Sequence, residues 1–437
     1  MSLLNDEPDE NNHIFYDPVT ILRPISRASG ISLDQLNFVT VLLLSFGLGF
    51  WFHLQFRAAS RFTRASVSTG IGLAFTYFCY GNAIIHLLIN GFGSYALMIA
   101  VTPRHVHKAV FAFSMGYLLL IHAYRWMYQK TYCLDVTGSM MVAVGKITLL
   151  ASAITDGMGR DEKELNSGQK RDAVKEIPNC YCRSYESLLN VVDISRSQAR
   201  SVSASTVHRL PYYFAWTISD SICNISGFGF DGIDEQTSEA KWSRTTNVRP
   251  LRVELGQNYK EMVDNWNIWT VAWLRRVVYE RVSGPYRTLA VYVTGAVWHG
   301  LAVGYYISFL TSALFTLSAA TFRRCIRHRF LGNPTYKLAY DIFGILVSKF
   351  AIGYVHFPFY VMHFWPSLFM YRKLYMIPHL IALFIHFYLP QICSPLHNAK
   401  SSGTSVSVSI PNIEKKSEVS QNSSARKKAK ASSKIGV

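Results

Sequence analysis

The sequence predicts an all-α, polytopic membrane protein. Half of its 437 residues are hydrophobic and 14% are aromatic, but only 16% are charged; soluble domains run near a quarter charged. Several apolar runs reach or approach the roughly 20 residues that a helix needs to cross hydrocarbon. The net charge of +17 falls largely in loops and in the C-terminal tail. That is the distribution of a chain whose basic connections face the cytoplasm and anionic headgroups, and it speaks against nucleic-acid binding.

In chain order, residues 1–34 read as a polar arm at the membrane surface. Its first twelve residues, MSLLNDEPDENN, have neither the basic n-region nor the apolar h-region of a secretory leader, so the first span is expected to target the chain. The membrane domain is expected over 35–395. NFVTVLLLSFGLGFWFHL (37–54) is the first span, and Arg57, Arg61 and Arg64 follow it in a cytoplasmic connection. Residues 66–101 are too long for one straight span, and Gly81, Asn90, Gly91 and Gly93 predict two shorter or broken helices. Further spans are expected at 106–128 and 137–155. The polar stretch 156–206 cannot cross a bilayer. Hydrophobicity returns at 212–230, followed by a polar, glycine-containing segment to about 260.

NWNIWTVAWLRRVVYERV (265–282) is amphipathic, with Trp266, Trp269, Trp273 and Val277 at helical spacing and charges crowding its end. It predicts an interfacial or partly inserted helix. Long apolar stretches at 286–320, 335–365 and 374–394 complete about eight to ten membrane segments, the first two long enough to tilt or break. Residues 396–437 form a basic tail with eight Lys/Arg against two Glu, expected to be disordered and cytosolic. The scattered cysteines give no metal site; Cys180 and Cys182 alone are a weak signal. Asn224-Ile-Ser is a glycosylation sequon by pattern that lies near a membrane face, which argues against its use.

Ionisable residues inside a membrane are costly and become functional candidates. Here they are His86, His122, Lys146, Asp220, His299, Asp341, Lys349, His356 and His363. His86, His122, His356 and His363 have a simple structural reading, each donating to a neighbouring carbonyl or lying near a helix end. His299 is set apart by its context, GAVWHGLAVGYY (295–306). Gly295, Gly300 and Gly304 remove bulk around it, either for a ligand or for close helix packing of the small-xxx-small kind. Asn265 and Asn267, in DNWNIWT (264–270), are polar residues that need partners, and a helix cap beside an aromatic belt would supply them.

WNIWTVAW (266–273) and WHGLAVGY (298–305), in this order within a polytopic chain, resemble the two motifs of the membrane-bound O-acyltransferase family. KITLLASAITDGMGR (146–160) and YYFAWTISDSICNISGFGFDGIDE (212–235) resemble its lysophospholipid acyltransferase branch. The resemblance spans roughly residues 20–395. It implies a bundle around a substrate chamber and acyl transfer from acyl-coenzyme A to a lysophospholipid with an ethanolamine, serine or choline headgroup. It places the chain in the endoplasmic reticulum membrane and requires no cofactor or metal. The catalytic pair would be His299 and Asn267, with Trp266, Thr270, Trp298, Gly300, Gly304 and Tyr305 around the substrate. An imidazole titrating near neutrality suits the base that a hydroxyl nucleophile requires. Asn267 would donate to the thioester carbonyl, or would orient His299 or the acceptor. Arg275, Arg276 and Lys146 are candidates for phosphate contacts.

One departure is that ISRSQARSVSASTVHRL (194–210) leads straight to YYFAW, where relatives continue with a longer region. The chain therefore reads as shortened internally near 193–211. This keeps open an inactive isoform or interaction protein that lacks part of the substrate tunnel. A non-phospholipid acceptor is a further alternative. A transporter is not supported, since no inverted repeat is visible.

Overall fold

The structure is a computed structural model that describes residues 15–128, 134–175, 202–234 and 237–393. The basic tail, the first 14 residues, Cys180, Cys182, the 194–201 part of the shortened region and most of the polar 156–206 segment lie outside the described residues. A two-residue antiparallel ladder joins β1 (Gly232–Ile233) to β2 (Ala240–Lys241); the other regular elements among the described residues are helical.

The helices run α1 (Arg23–Ser29), α2 (Leu33–Phe56), α3 (Arg61–Tyr80), a 3₁₀ turn (Gly81–Ile84), α4 (Ile85–Ala100), α5 (Val106–Tyr128), α6 (Val136–Met158) and α7 (Ser167–Asp172). They continue with α8 (Val202–Ile225), α9 (Pro250–Glu254), α10 (Tyr259–Trp266), α11 (Ile268–Leu274), a π turn (Arg275–Tyr279) and α12 (Arg287–His299). The last are α13 (Val303–Ile326), α14 (Pro334–Val361), α15 (Phe364–Lys373), α16 (Ile377–Phe387) and α17 (Leu389–Ile392). Among the described residues, six helical stretches are long and apolar enough to cross a membrane. A seventh is reached if α15 and α16, bent by 78°, form one span. The remaining segments of the expected eight to ten are short or polar: α12 has 13 residues, and α8 carries Arg209 and Asp220.

Three local expectations need correction. The N-terminal arm enters the bundle at Phe15–Val19, while most of residues 20–32 stay exposed. Phe15 is buried against His86 and Tyr124 at ring distances of 5.2 and 5.3 Å, and Val136 N–H donates to Phe15 O. Burying one aromatic ring outweighs the polarity of its neighbours. The break in 66–101 falls at Gly81 alone, at φ +56°, where a Cβ would lie 1.5 Å from Asp17 O. Asn90, Gly91 and Gly93 stay helical: Asn90 Oδ1 accepts from Ser114 Oγ at 2.9 Å, and Gly93 makes room for Phe113. Finally, 265–282 is not one helix. It breaks at Asn267 (φ −133°, ψ 74°) and again loosens into the π turn.

The two largest of four apolar clusters among the described residues surround the motifs. The first joins α5, α6, α11, the π turn and α12 through Leu118, Met140, Val144, Trp273, Val277 and Trp298. The second joins α8, α9, α10 and α14 through Tyr213, Val253, Met262, Tyr354 and Val355. A polar hub pins the second. Arg209, only 3% exposed, donates from Nε and Nη2 to Glu254 at 2.9 and 2.7 Å. Tyr213 Oη donates to Glu254 at 2.6 Å, and Lys349 Nζ pairs with the second carboxylate oxygen. Burial pushes the Glu254 carboxyl up, but these donors outweigh it and hold the group below its ordinary 4.5.

That direction sets a pH dependence. A depressed carboxylate contributes stability above its unfolded value and loses it as pH falls through the folded one. Glu254→Gln is expected to cost on the order of 3 kcal/mol, because it strands a buried guanidinium. It should also flatten the acid limb below about pH 4.5 in thermal melts of detergent-purified protein. An unchanged melting temperature at neutral pH would show that the hub is not holding α8 to α14.

Candidate active site

The two sequence motifs meet through their tryptophans. Trp273 and Trp298 pack at 5.4 Å between ring centroids, both nearly fully buried. Each spends its indole N–H inside the bundle, Trp273 on Thr148 Oγ1 and Trp298 on Met141 O, both at 2.9 Å. Both partners lie on α6, so one helix anchors α11 and α12 together.

Each proposed catalytic residue lies at a helix break. Asn267 ends α10 and caps α11, its Oδ1 accepting from Thr270 N–H at 3.4 Å. Ile268 N–H donates to Asn247 O at 2.8 Å and Trp269 N–H donates to Asn247 Oδ1 at 3.0 Å. Arg249 N–H donates to Asn265 O at 3.0 Å, so 247–249 staples the break shut. With its oxygen engaged in the cap, the Asn267 amide NH₂ has no hydrogen-bond partner among the described residues. Asn247 was not legible as a site residue: a lone Asn in a polar loop carries no spacing signal.

His299 is the last residue of α12, which stops because Gly300 takes φ +126°. Its half-buried ring is enclosed by Trp298 at 4.8 Å, Phe359 at 5.1 Å, Phe309 at 5.3 Å and Tyr305 at 5.7 Å. Neither ring nitrogen has a hydrogen bond among the described residues. The turn is held from behind by His122, whose Nε2 lies 3.3 Å from Trp298 O. A carbonyl only accepts, so this nitrogen carries the proton. His122 thus supports the site as a structural histidine.

The predicted surroundings separate into two groups. Tyr305 faces His299, and Thr270 closes the Asn267 cap. Trp266, by contrast, is committed to an aromatic cluster with Tyr212, Tyr213 and Trp216 at 5.5, 5.6 and 5.0 Å. Trp298 is a structural post. Gly300 is a turn residue beside the His122 ring, and Gly304 does not provide substrate space. A Cβ at Gly304 would stand 2.1 Å from Pro358 O, and its N–H donates to Met362 O. Gly295 makes room for Phe309. The glycines allow backbone approach and ring placement, as small residues do between membrane helices.

Partners separate the other ionisable residues too. His86 bonds Tyr117 Oη, Asp220 accepts from Thr245 and Thr246, Asp341 pairs with Lys337, Lys349 with Glu254, and His356 lies 3.0 Å from Ile352 O. His363 is exposed at a helix end. Arg276 is spent on Asp172 and Glu280, and Arg281 on Asp156 at 2.9 Å; Arg275 is 58% exposed and lies 3.5 Å from Glu280. This pairing removes Arg276 as a free phosphate ligand. Of the nine intramembrane candidates, His299 and Lys146 are the two that stay buried or half-buried without a hydrogen-bond or ion-pair partner among the described residues.

The membrane-bound O-acyltransferase family model matches residues 194–357. A human protein named membrane-bound glycerophospholipid O-acyltransferase 2 is 31% identical over 460 aligned positions, covering 85% of this chain and 88% of its own length. The chain belongs to the membrane-bound O-acyltransferase family. Lysophospholipid acyltransferase 6 of Drosophila melanogaster is 30% identical over 83% of this chain and 62% of its own length. The lysophospholipid acyltransferase of Saccharomyces cerevisiae is 38% identical over 41% of this chain and 31% of its own length. The alignment to the human family member runs over 460 positions, more than the 437 residues present. That relative therefore carries internal residues without a counterpart here.

Gly304→Ala tests the packing role of this glycine. It is expected to lower the melting temperature by an amount equivalent to about 1–3 kcal/mol, the usual cost of overpacking, since Pro358 O is backbone and cannot swing away. A variant that melts like wild type would return Gly304 to the list of substrate contacts.

Proposed function

We propose that this family member is a lysophospholipid acyltransferase that uses acyl-coenzyme A, with His299 as general base. The observation that carries this reading is the unpartnered His299 imidazole in its aromatic enclosure, at a helix end whose Trp298 packs on Trp273 of the helix that Asn267 caps. The names of the human, fly and yeast relatives support a lysophospholipid or glycerophospholipid acceptor.

The chemistry follows from the groups present. His299 takes the proton of the acceptor hydroxyl as its oxygen attacks the thioester carbon. The carbonyl oxygen becomes an oxyanion, and the free NH₂ of Asn267 is the donor suited to it. Collapse breaks the C–S bond, and the imidazolium returns its proton to the departing thiolate. The products are a diacyl phospholipid and coenzyme A. No nucleophilic serine or cysteine is needed. Phe309, Phe359 and Tyr305 keep water from the thioester, which would otherwise hydrolyse. The acceptor headgroup is ethanolamine, serine or choline. The enzyme resides in the endoplasmic reticulum membrane with its basic tail in the cytosol, where the Lys/Arg excess places it.

His299→Ala is expected to reduce transfer from oleoyl-coenzyme A to a lysophospholipid panel by about 10²–10⁴-fold. Asn267→Ala should lose about 10²–10³-fold. His299→Ala should keep a near wild-type melting temperature, since His299 bonds nothing among the described residues, whereas Asn267→Ala should melt lower by the equivalent of about 0.5–2 kcal/mol, the cost of losing the α11 cap. Full activity in His299→Ala alongside active wild type would remove the imidazole from the mechanism. Inactivity of folded wild type across donors and acceptors would instead favour a non-catalytic role.

A further inference from the structure

Lys146, one of three phosphate-contact candidates in the sequence, has no part in the chemistry proposed above. It lies near the centre of α6, a helix long and apolar enough to cross the membrane. Its Nζ is sealed from solvent and has neither hydrogen bond nor ion pair among the described residues. An ammonium carries three donors and no acceptor, and placing it in a bundle interior without a counter-charge is among the costliest choices a fold can make.

Its setting is part of the site. The neighbouring residue, Gly145, lies under the Trp273 indole, with its Cβ position 3.7 Å from the ring. Trp273 packs on Trp298, the residue before His299. Cys223 of α8 is near enough to act on Lys146 electrostatically. One turn back along α8, Ser219 has a buried Oγ with no partner, and so does Ser139, two turns back on the same face of α6. The Lys146 ammonium and these two hydroxyls are thus buried polar groups without partners among the described residues.

We propose that Lys146 binds a phosphoryl oxygen of a substrate held at His299, with Ser219 and Ser139 as supporting donors. This rests on the acyl-transfer reading. Phosphoryl oxygen is the anionic group common to both substrates, as the phosphodiester of the lysophospholipid and the diphosphate of coenzyme A. The ammonium recognises either one, and the experiment separates them.

The test uses full-length protein, wild type, Lys146→Met and Lys146→Arg. Substrate-free Lys146→Met is expected to melt at or above wild type, because it removes an uncompensated cation. Its KM should rise about tenfold or more for one substrate, the size of a charge-assisted hydrogen bond, with kcat changed far less, and Lys146→Arg should recover part of the loss. A rise for lysophospholipid assigns the phosphodiester; a rise for acyl-coenzyme A assigns the diphosphate. Independently of turnover, coenzyme A or lysophosphatidylcholine should raise the melting temperature of wild type, and for the assigned ligand Lys146→Met should lose that shift. Unchanged KM values and ligand shifts overturn the proposal. So does a substrate-free Lys146→Met that melts well below wild type, or a wild type shifted by neither ligand. If wild type transfers no acyl group, the function proposed above fails, and the melting shifts still decide the role of Lys146.

Discussion

The constraint on which this structure depends is that a helix broken inside a bundle must have its freed backbone groups paired. Lipid supplies no partner, so irregular backbone at membrane depth survives only where protein satisfies it. Two such breaks, at Asn267 and at Gly300, carry the candidate residues, and both are sealed by specific neighbours. Asn247 accepts two backbone N–H groups at the first, and the Asn267 side chain accepts a third. At the second, His122 bonds Trp298 O and Met362 O accepts Gly304 N–H. The result is that Asn267 and His299 leave continuous helix, where side chains are confined to helix faces. They sit instead on helix ends, which can aim polar groups into an interior.

Helix ends of this kind need rigid surroundings, and the charged residues provide them. Glu254 gathers Arg209 and Tyr213 from α8 and Lys349 from α14. At the other side of the site, Asp156 holds Arg160 and Arg281, while Arg276 links Asp172 to Glu280. These pairs fix the π turn that follows α11. Their value is positional more than energetic. A buried pair gains little net stability over an apolar replacement, yet losing one member is costly. Such pairs therefore specify one arrangement of helices and penalise others.

Much of this was legible in the sequence. Span positions such as 106–128 follow directly from hydropathy, which α5 reproduces at both ends. The two motifs identified the site because their residue types and order are unusual in a membrane chain. What periodicity could not show was the break between Trp266 and Trp273. Their spacing fits one helical face, but the structure sends them to different clusters, Trp266 to the Tyr212–Trp216 cluster and Trp273 to Trp298. Spacing reports a face only while the helix is continuous. Asn247 was invisible for a different reason, since its role depends on a tertiary approach that no local pattern encodes. The arm was misplaced because composition averages over a segment, whereas one ring, Phe15, decides where it packs.

The glycines near His299 show how one pattern can carry two meanings. Gly300-x-x-x-Gly304 fits both a ligand cavity and a helix seam. The deciding fact is what fills the space that the missing Cβ leaves. At Gly304 it is the backbone of Pro358 and Met362, and at Gly295 it is Phe309; neither leaves room for substrate. The same question applied to polar groups gives the opposite result. His86, His122, Asp220, Asp341, Lys349 and His356 each have a partner, so packing accounts for them. Unfilled bonding capacity at depth, not the mere presence of a polar residue, separates chemistry from architecture. In a medium where an unsatisfied donor is so costly, the unpaired imidazole of His299 and the free amide of Asn267 are the groups that packing leaves unexplained, and on them the proposed chemistry rests.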